Sequence, residues 1–152
     1  SFAKSKVPTN FYVDQQGYPC SAPPWSQLIA VSTRTGDVVW RAPLGEYPEL
    51  AARGITGTGT ASNHGAPIAT GSGLLFIGSS MDFSFRAFDA RSGKEIWKAT
   101  LDNDVVMTPM TYQGANGKQY VVAVSSGGQA EQHLPRRTGP APNAKVVAFA
   151  LP

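Results

Sequence analysis

The sequence predicts an all-β protein built from repeated four-stranded units, the pattern of a partial β-propeller. A thirteen-residue pattern occurs twice, with a tryptophan at Trp40 in the first copy and at Trp97 in the second. The second copy follows the first by 57 residues, from Ala30 to Ala87. Sixteen glycines and twelve prolines among 152 residues favour short strands joined by tight turns. A repeat of this period indicates stacked units that each need a neighbour to bury their apolar face.

The two copies share residue types as well as spacing. They read Ala30-x-Ser32-x-Arg34-Thr35-Gly36-x-x-Val39-Trp40-Arg41-Ala42 and Ala87-x-Asp89-x-Arg91-Ser92-Gly93-x-x-Ile96-Trp97-Lys98-Ala99. Each copy predicts a hairpin, because its glycine can take the positive φ of a tight turn. Ser32 and Asp89 are expected to accept hydrogen bonds from the turn amides. The tryptophan is expected to stack flat between adjacent units, beside the small alanine.

The predicted elements follow one another along the chain. Up to Trp25, aromatic residues alternate with turn formers, and two consecutive prolines predict an extended or turning segment. Residues 28–42 form the first predicted hairpin, and a helical turn is expected around Pro48–Ala52 within the irregular stretch 45–66. One complete unit of four strands is then predicted at 67–70, 74–78, 84–89 and 95–99.

A third unit begins at Thr108. Its predicted strands are 108–112, 119–125 and 146–151, and Ala148 stands where the repeats have Ala30 and Ala87. No turn glycine or tryptophan follows Ala148 in the sequence, and the first unit lacks its earlier strands. The chain therefore holds about two to three blades, fewer than the roughly four to eight of a closed propeller. We expect a fragment or a subunit that needs partners, with open strand edges that favour self-association.

Composition and charge exclude several classes of function. The net charge is +3, with 41% hydrophobic and 15% charged residues, which predicts a globular chain without the basic, aromatic-rich stripe of a nucleic-acid-binding protein. No apolar run approaches the ~18 residues of a membrane span, and no metal, phosphate or dinucleotide motif occurs. The single cysteine, Cys20, is expected to be a buried small side chain or to pair with a cysteine elsewhere. Asp102 and Asp104 are expected to be solvated in a turn.

The repeat resembles the tryptophan-docking motif of quinoprotein dehydrogenases, which are eight-bladed β-propellers that bind pyrroloquinoline quinone (PQQ). Further segments are similar to the membrane-bound glucose and quinate dehydrogenase branch, in the order of that family's C-terminal end. These segments are Pro19–Trp25, Gly57-x-Gly59-Thr60, Leu74–Gly78, Arg86–Asp89, Thr108–Tyr112, Gly117–Val122 and Val147–Pro152.

The resemblance implies that residues 1–152 are the C-terminal part of a PQQ-dependent dehydrogenase. Such an enzyme oxidises a sugar or polyol-type alcohol and passes electrons to ubiquinone, at the periplasmic face of the bacterial inner membrane. It also implies a Ca²⁺ ion that polarises the quinone and a membrane anchor in a missing N-terminal region. No segment matches the general-base aspartate or the metal ligands, so no catalytic or metal-binding residue is assigned. The fragment alone is expected to be inactive.

The resemblance points to two segments of the PQQ pocket. The first is Asn63-His64-Gly65, where the family has an Asn-x-Gly-Gly-Pro-like stretch. The second is Gly127-Gly128-Gln129, where relatives tend to carry Gly-Gly-His-Gly, so Gln129 replaces an imidazole. The alternative interpretation is structural: His64 is then a hydrogen-bonded loop residue, and Gly127-Gly128 ends a strand.

Two other classes of function stay open at this point. A non-enzymatic β-propeller scaffold of the outer-membrane assembly type carries the same docking repeat. A carbohydrate-binding β domain is the third possibility, supported only by the exposed aromatic residues. The two pocket segments discriminate between these hypotheses, because a scaffold has no need of them.

Overall fold

The computed structural model describes residues 12–61, 64–78, 80–126 and 143–150. In these residues the chain forms nine strands and one short helix. In order they are β1 (Gln27–Val31), β2 (Val38–Pro43), α1 (Pro48–Ala51), β3 (Ile68–Ala69), β4 (Leu74–Ile77), β5 (Ser84–Asp89), β6 (Glu95–Thr100), β7 (Met110–Gln113), β8 (Gln119–Ser125) and β9 (Lys145–Ala150). Within these described ranges, no helix is both long enough and apolar enough to cross a membrane.

The strands form three antiparallel sheets, and each sheet keeps its strands in sequence order. The first sheet has two strands (β1-β2), the second has four (β3-β4-β5-β6) and the third has three (β7-β8-β9). One four-stranded unit therefore lies between a two-stranded and a three-stranded one. This arrangement confirms the predicted all-β, partial β-propeller architecture.

The repeat extends to the pairing register of its two hairpins. Ala30 lies opposite Trp40 in the first hairpin, and Ala87 lies opposite Trp97 in the second. Directly after each of these pairs the register shifts by a bulge. A bulge bends a strand and increases its twist. The sequence repeat therefore encodes the same local curvature twice, as well as the same turn.

The turns have the predicted geometry. Gly36 and Gly93 adopt φ of +78° and +71°, a region that L side chains avoid. The Ser32 hydroxyl accepts a hydrogen bond from the Thr35 amide at 3.3 Å, and the Asp89 carboxylate accepts one from the Ser92 amide at 2.8 Å. Both of the side chains expected to stabilise the turns therefore do so.

The four-stranded sheet is covered on both faces, which explains why five consecutive residues of β5 are buried. On one face, Phe85 and Ala87 pack with Val121 and Ala123 of the third sheet. On the other face, Phe88 packs with Ala42 and Leu44, at and just after the end of β2. Because successive strand residues point to opposite faces, this one strand contributes to both inter-sheet cores.

The stretch before β1 lacks regular structure and differs from one expectation. The Pro23–Pro24 peptide is cis, and Val13 and Pro19 form an isolated bridge. Cys20 is an exposed free thiol, so the expectation of a buried small side chain is wrong. The segment turns outward at this point, and the apolar contacts are made instead by the neighbouring rings of Tyr18 and Trp25.

Candidate functional site

Two residues of the predicted pocket segments, His64 and Gly65, lie near one end of the second sheet. His64 and Gly65 come shortly before β3, and the chain leaves β4 at Gly78 beside them because β3 and β4 are antiparallel. The side chain of His64 is exposed and Gly65 is half-buried. Asn63, Gly127, Gly128 and Gln129 lie outside the described residues, so their placement stays a prediction.

The connection between β6 and β7 ties the corresponding ends of two sheets together. A Cβ added at Gly78 would lie 2.4 Å from Val105 Cβ, so the end of β4 touches this connection through bare backbone. The Asn103 amide donates to the hydroxyl of Ser125 at 3.0 Å, and that hydroxyl donates to the Asn103 carbonyl at 2.9 Å. The end of β8, which leads to Gly127, is therefore held at the same end of the molecule as the start of β3.

Asp104 belongs to this buried connection. Its side chain is 3% exposed, and its carbonyl accepts a hydrogen bond from the Ser126 amide at 3.2 Å. Asp102 is exposed and forms an ion pair with Lys145. The expectation that both aspartates are solvated is therefore right for Asp102 and wrong for Asp104, because the connection folds back onto β8.

A buried ion pair braces the loop between β4 and β5. The Arg86 guanidinium pairs with the Asp82 carboxylate, and the two side chains are 3% and 6% exposed. Arg86 also donates to the Ser80 hydroxyl at 2.8 Å and to Glu95 at 2.9 Å. The Asp82 carboxylate further accepts the Glu46 amide at 3.0 Å. One carboxylate thus links this loop to the chain that follows β2.

The charge states of this pair follow from its surroundings. Burial by itself raises the pKa of the Asp82 carboxyl, but the hydrogen bonds and positive charge of Arg86, together with Ser80 and the Glu46 amide, lower it below 3.8. Burial likewise opposes the charge on Arg86, yet Asp82 and Glu95 outweigh it and raise the guanidinium pKa. Both groups are therefore charged at neutral pH, and the pair acts as a brace rather than as a proton donor or acceptor.

An aromatic cluster packs against Ala61, two residues before Asn63 in the sequence. Tyr47, fully buried, packs with Leu50 and Met81. The rings of Tyr18 and Trp25 meet it edge-on, each with centroids 5.3 Å away. The Tyr47 hydroxyl accepts a hydrogen bond from the Ala61 amide at 3.0 Å. The sequence analysis did not single out Tyr47 or Asp82. The available signal for Tyr47 was an aromatic residue in the irregular stretch, and for Asp82 it was the Asp-x-x-x-Arg spacing to Arg86.

Two described residues, His64 and Gly65, are chemically compatible with the quinone that the resemblance implies. PQQ is a flat ring system that carries carboxylates and carbonyl oxygens. An exposed imidazole at His64 can hydrogen-bond to such oxygens, and Gly65 lets a flat ring approach the backbone. In the described ranges, however, no group of three or more His, Cys, Asp and Glu side chains could hold a metal ion.

An apolar groove of about 520 Å³ lies between the second and third sheets. Trp97, Phe149, Phe76 and Val121 are among its lining residues. Trp97 is 38% exposed, and its ring meets that of Phe149 edge-on with centroids 5.0 Å apart. Because apolar side chains line this groove, it suits packing between blades and not a polyhydroxylated or anionic ligand.

Known proteins resemble this chain, some in sequence and some in fold. The family described as glucose/ethanol/alcohol dehydrogenase, β-propeller domain (PQQ), matches residues 2–121. The quinate/shikimate dehydrogenase (quinone) of Acinetobacter baylyi is 37% identical across 96% of this chain and 18% of its own length. The glycerol dehydrogenase large subunit of Gluconobacter thailandicus is 36% identical across 96% of this chain and 19% of its own length.

Two further matches cover similar shares. The quinoprotein glucose dehydrogenase of Escherichia coli is 32% identical across 96% of this chain and 18% of its own length. The solved quinohemoprotein alcohol dehydrogenase of Comamonas testosteroni superposes with a TM-score of 0.57, covering 82% of this chain and 16% of its own. At 23% identity that likeness supports the fold alone. The chain thus spans about a fifth of the length of the relatives that it matches.

Proposed function

The chain belongs to the β-propeller family of PQQ-dependent glucose, ethanol and alcohol dehydrogenases, and from this premise we propose that residues 1–152 form the C-terminal part of a dehydrogenase for a sugar or polyol-type alcohol. The observation that carries the proposal is the match to relatives over 96% of the chain. Those relatives are named for quinate or shikimate, glycerol and glucose, and all four compounds carry several hydroxyl groups. A polyhydroxylated alcohol is therefore the substrate class that the relatives share.

The pocket segments are the chain's contribution to cofactor binding. When bound, PQQ accepts the two electrons removed from the alcohol, and a Ca²⁺ ion polarises it. In this proposal, His64, Gly65 and the neighbouring Asn63 would hold the quinone together with Gly127, Gly128 and Gln129. Gln129 carries an amide where relatives tend to have imidazole, so a hydrogen bond from Gln129 to the quinone would be neutral and independent of pH. The ligands of Ca²⁺ lie outside this chain.

The remaining parts of the proposal concern the whole protein. Electrons pass to ubiquinone, and the propeller faces the periplasm, held to the inner membrane through an N-terminal region. The 152-residue chain by itself lacks the catalytic blades and is inactive. Its sheet edges at β1 and β9 pair with neighbouring strands in the complete ring and favour self-association when the fragment is isolated.

Activity of the full-length protein tests the proposal. With PQQ and Ca²⁺ added, it should reduce an artificial electron acceptor in the presence of glucose, glycerol or quinate, whereas the 152-residue chain should not. Asn63→Ala and Gly128→Val should each weaken PQQ binding, by loss of a hydrogen bond and by obstruction of close approach. PQQ affinity that is unchanged in both variants would contradict the pocket assignment. A full-length protein that binds no PQQ would favour the non-enzymatic scaffold.

A further inference from the structure

We propose that Tyr47 is a positioning residue for the cofactor pocket, because its phenol holds the backbone that leads into Asn63. This inference rests on the proposed function, because that function assigns Asn63, His64 and Gly65 to PQQ binding. Tyr47 is separated from these residues by more than ten positions in the sequence. The fold brings its hydroxyl to the amide of Ala61, two residues before Asn63 in the sequence.

The orientation of the Tyr47 ring is fixed from several sides. The residue is 0% exposed and packs with Leu50 of α1 and Met81 of the loop between β4 and β5. The rings of Tyr18 and Trp25 stand at 78° and 70° to it, in the edge-to-face arrangement that aromatic pairs favour. A side chain held in this way presents its hydroxyl at one defined place.

That hydroxyl completes a ladder of contacts to the segment 58–61. The Thr58 carbonyl accepts a hydrogen bond from the Trp25 amide at 2.7 Å. The Thr60 amide donates to the Leu44 carbonyl and to the Ser26 hydroxyl, each at 3.1 Å. The Ala61 amide then donates to the Tyr47 hydroxyl at 3.0 Å. Ala61 is two residues before Asn63, so Tyr47 makes the contact of this ladder nearest to the pocket segment.

Loss of this contact should weaken cofactor binding without changing any group that touches the cofactor. A half-buried amide without its acceptor loses the net value of a hydrogen bond and gains freedom to reorient. Ligand binding must then restore the order that the phenol normally supplies. The affinity for PQQ should fall by about two- to tenfold, which corresponds to one net hydrogen bond.

Tyr18 offers a matched control in the same cluster. Its hydroxyl donates to the Glu49 carboxylate of α1 at 2.8 Å. Tyr47→Phe and Tyr18→Phe each remove one phenolic oxygen and leave the ring packing in place. Any effect of loosening the cluster as a whole should appear in both variants, whereas an effect on the pocket should appear only in Tyr47→Phe.

The experiment compares the full-length wild type with these two variants. PQQ is titrated into each apoprotein in the presence of Ca²⁺, the KM for the alcohol is measured at saturating PQQ, and hydrogen exchange follows a peptide that contains Ala61. For Tyr47→Phe we expect a two- to tenfold rise in the Kd of PQQ, faster exchange at Ala61 and an unchanged KM. For Tyr18→Phe we expect wild-type values of all three.

Two results would overturn the inference while leaving the proposed function in place. One is wild-type PQQ affinity or wild-type exchange at Ala61 in Tyr47→Phe. The other is an equal loss of affinity in both variants, because the effect would then come from the cluster in general. A wild-type protein that binds no PQQ would instead overturn the proposed function, and this inference with it.

Discussion

The indole ring of Trp40 lies directly on the α carbon of Gly93, in the turn of the next repeat. A Cβ added at Gly93 would come within 2.5 Å of Trp40 Cε3 and 2.6 Å of Cδ2. The indole N–H donates to the carbonyl of Ala90 at 3.0 Å. Gly93 therefore has two roles. It takes the positive φ of its own hairpin, and it leaves a flat surface for the tryptophan of the preceding sheet.

Gly93→Ala should destabilise the protein much more than Gly36→Ala. Both glycines have positive φ, so both variants carry the cost of about 1 kcal/mol for an L side chain in that region. A Cβ at Gly36 meets nothing within 4 Å, whereas the one at Gly93 displaces the indole and should cost about 2 kcal/mol more. Urea denaturation followed by tryptophan fluorescence measures both free energies of unfolding. Equal values would show that Trp40 does not depend on Gly93.

Gly78→Ala should separate the end of β4 from the connection that follows β6. The new Cβ would lie 2.4 Å from Val105 Cβ, and buried overpacking of this kind costs about 1–3 kcal/mol. Gly71→Ala is the control, because a Cβ at Gly71 meets nothing within 4 Å. The thermal midpoint of each variant is the measurement, and a midpoint for Gly78→Ala as high as that for Gly71→Ala would contradict the close approach.

Asp82→Asn should lower the free energy of unfolding by about 3 kcal/mol, because the buried Arg86 guanidinium then loses its buried ionic partner. Among the described residues, only the more exposed carboxylate of Glu95 still pairs with it. Asp102→Asn removes the carboxylate of an ion pair whose side chains are 50% and 58% exposed. Exposed pairs contribute about 0–1 kcal/mol. Chemical denaturation at pH 7 distinguishes the two sites. A loss at position 102 as large as that at position 82 would refute the assigned roles.

Acid should destabilise the wild type more steeply than Asp82→Asn. The folded-state pKa of Asp82 lies below 3.8, so its contribution is present above the unfolded pKa and is lost as the pH falls through the folded pKa. The slope attributable to this one group reaches at most about 1.4 kcal/mol per pH unit. The difference between the free energies of unfolding of the two proteins should shrink as the pH falls from 6 to 2.5. Parallel curves over that range would show that Asp82 does not carry the pH dependence.

Local patterns predicted the strands well, because each strand and turn depends on residues near in sequence. Gly36 and Gly93 mark their turns through a backbone conformation that only glycine takes readily, and the strands on either side of each turn were predicted from it. The helical turn expected around Pro48–Ala52 is present as α1, Pro48–Ala51. Burial of single residues was harder to predict. Cys20 is exposed and Asp104 is buried, because the path of a loop decides each case.

The candidate site shows the same division. His64 and Gly65 were assigned by their resemblance to a family segment, and the structure places them shortly before β3. Tyr47 and Asp82 carry no motif of their own. Their hydrogen bonds to Ala61 and Glu46 join parts of the chain that are distant in sequence.

By itself, the sequence determined the repeat, the turn glycines, the order of the strands and the family, since each is written in residue types at fixed spacings. Only the tertiary structure decided what covers each repeated tryptophan, which aspartate is buried and which side chain accepts the hydrogen bond of the Ala61 amide. These outcomes depend on which surfaces meet when the sheets stack. Trp40 and Trp97 occupy equivalent positions in their repeats, yet one lies on Gly93 and the other meets Phe149 beside an open groove.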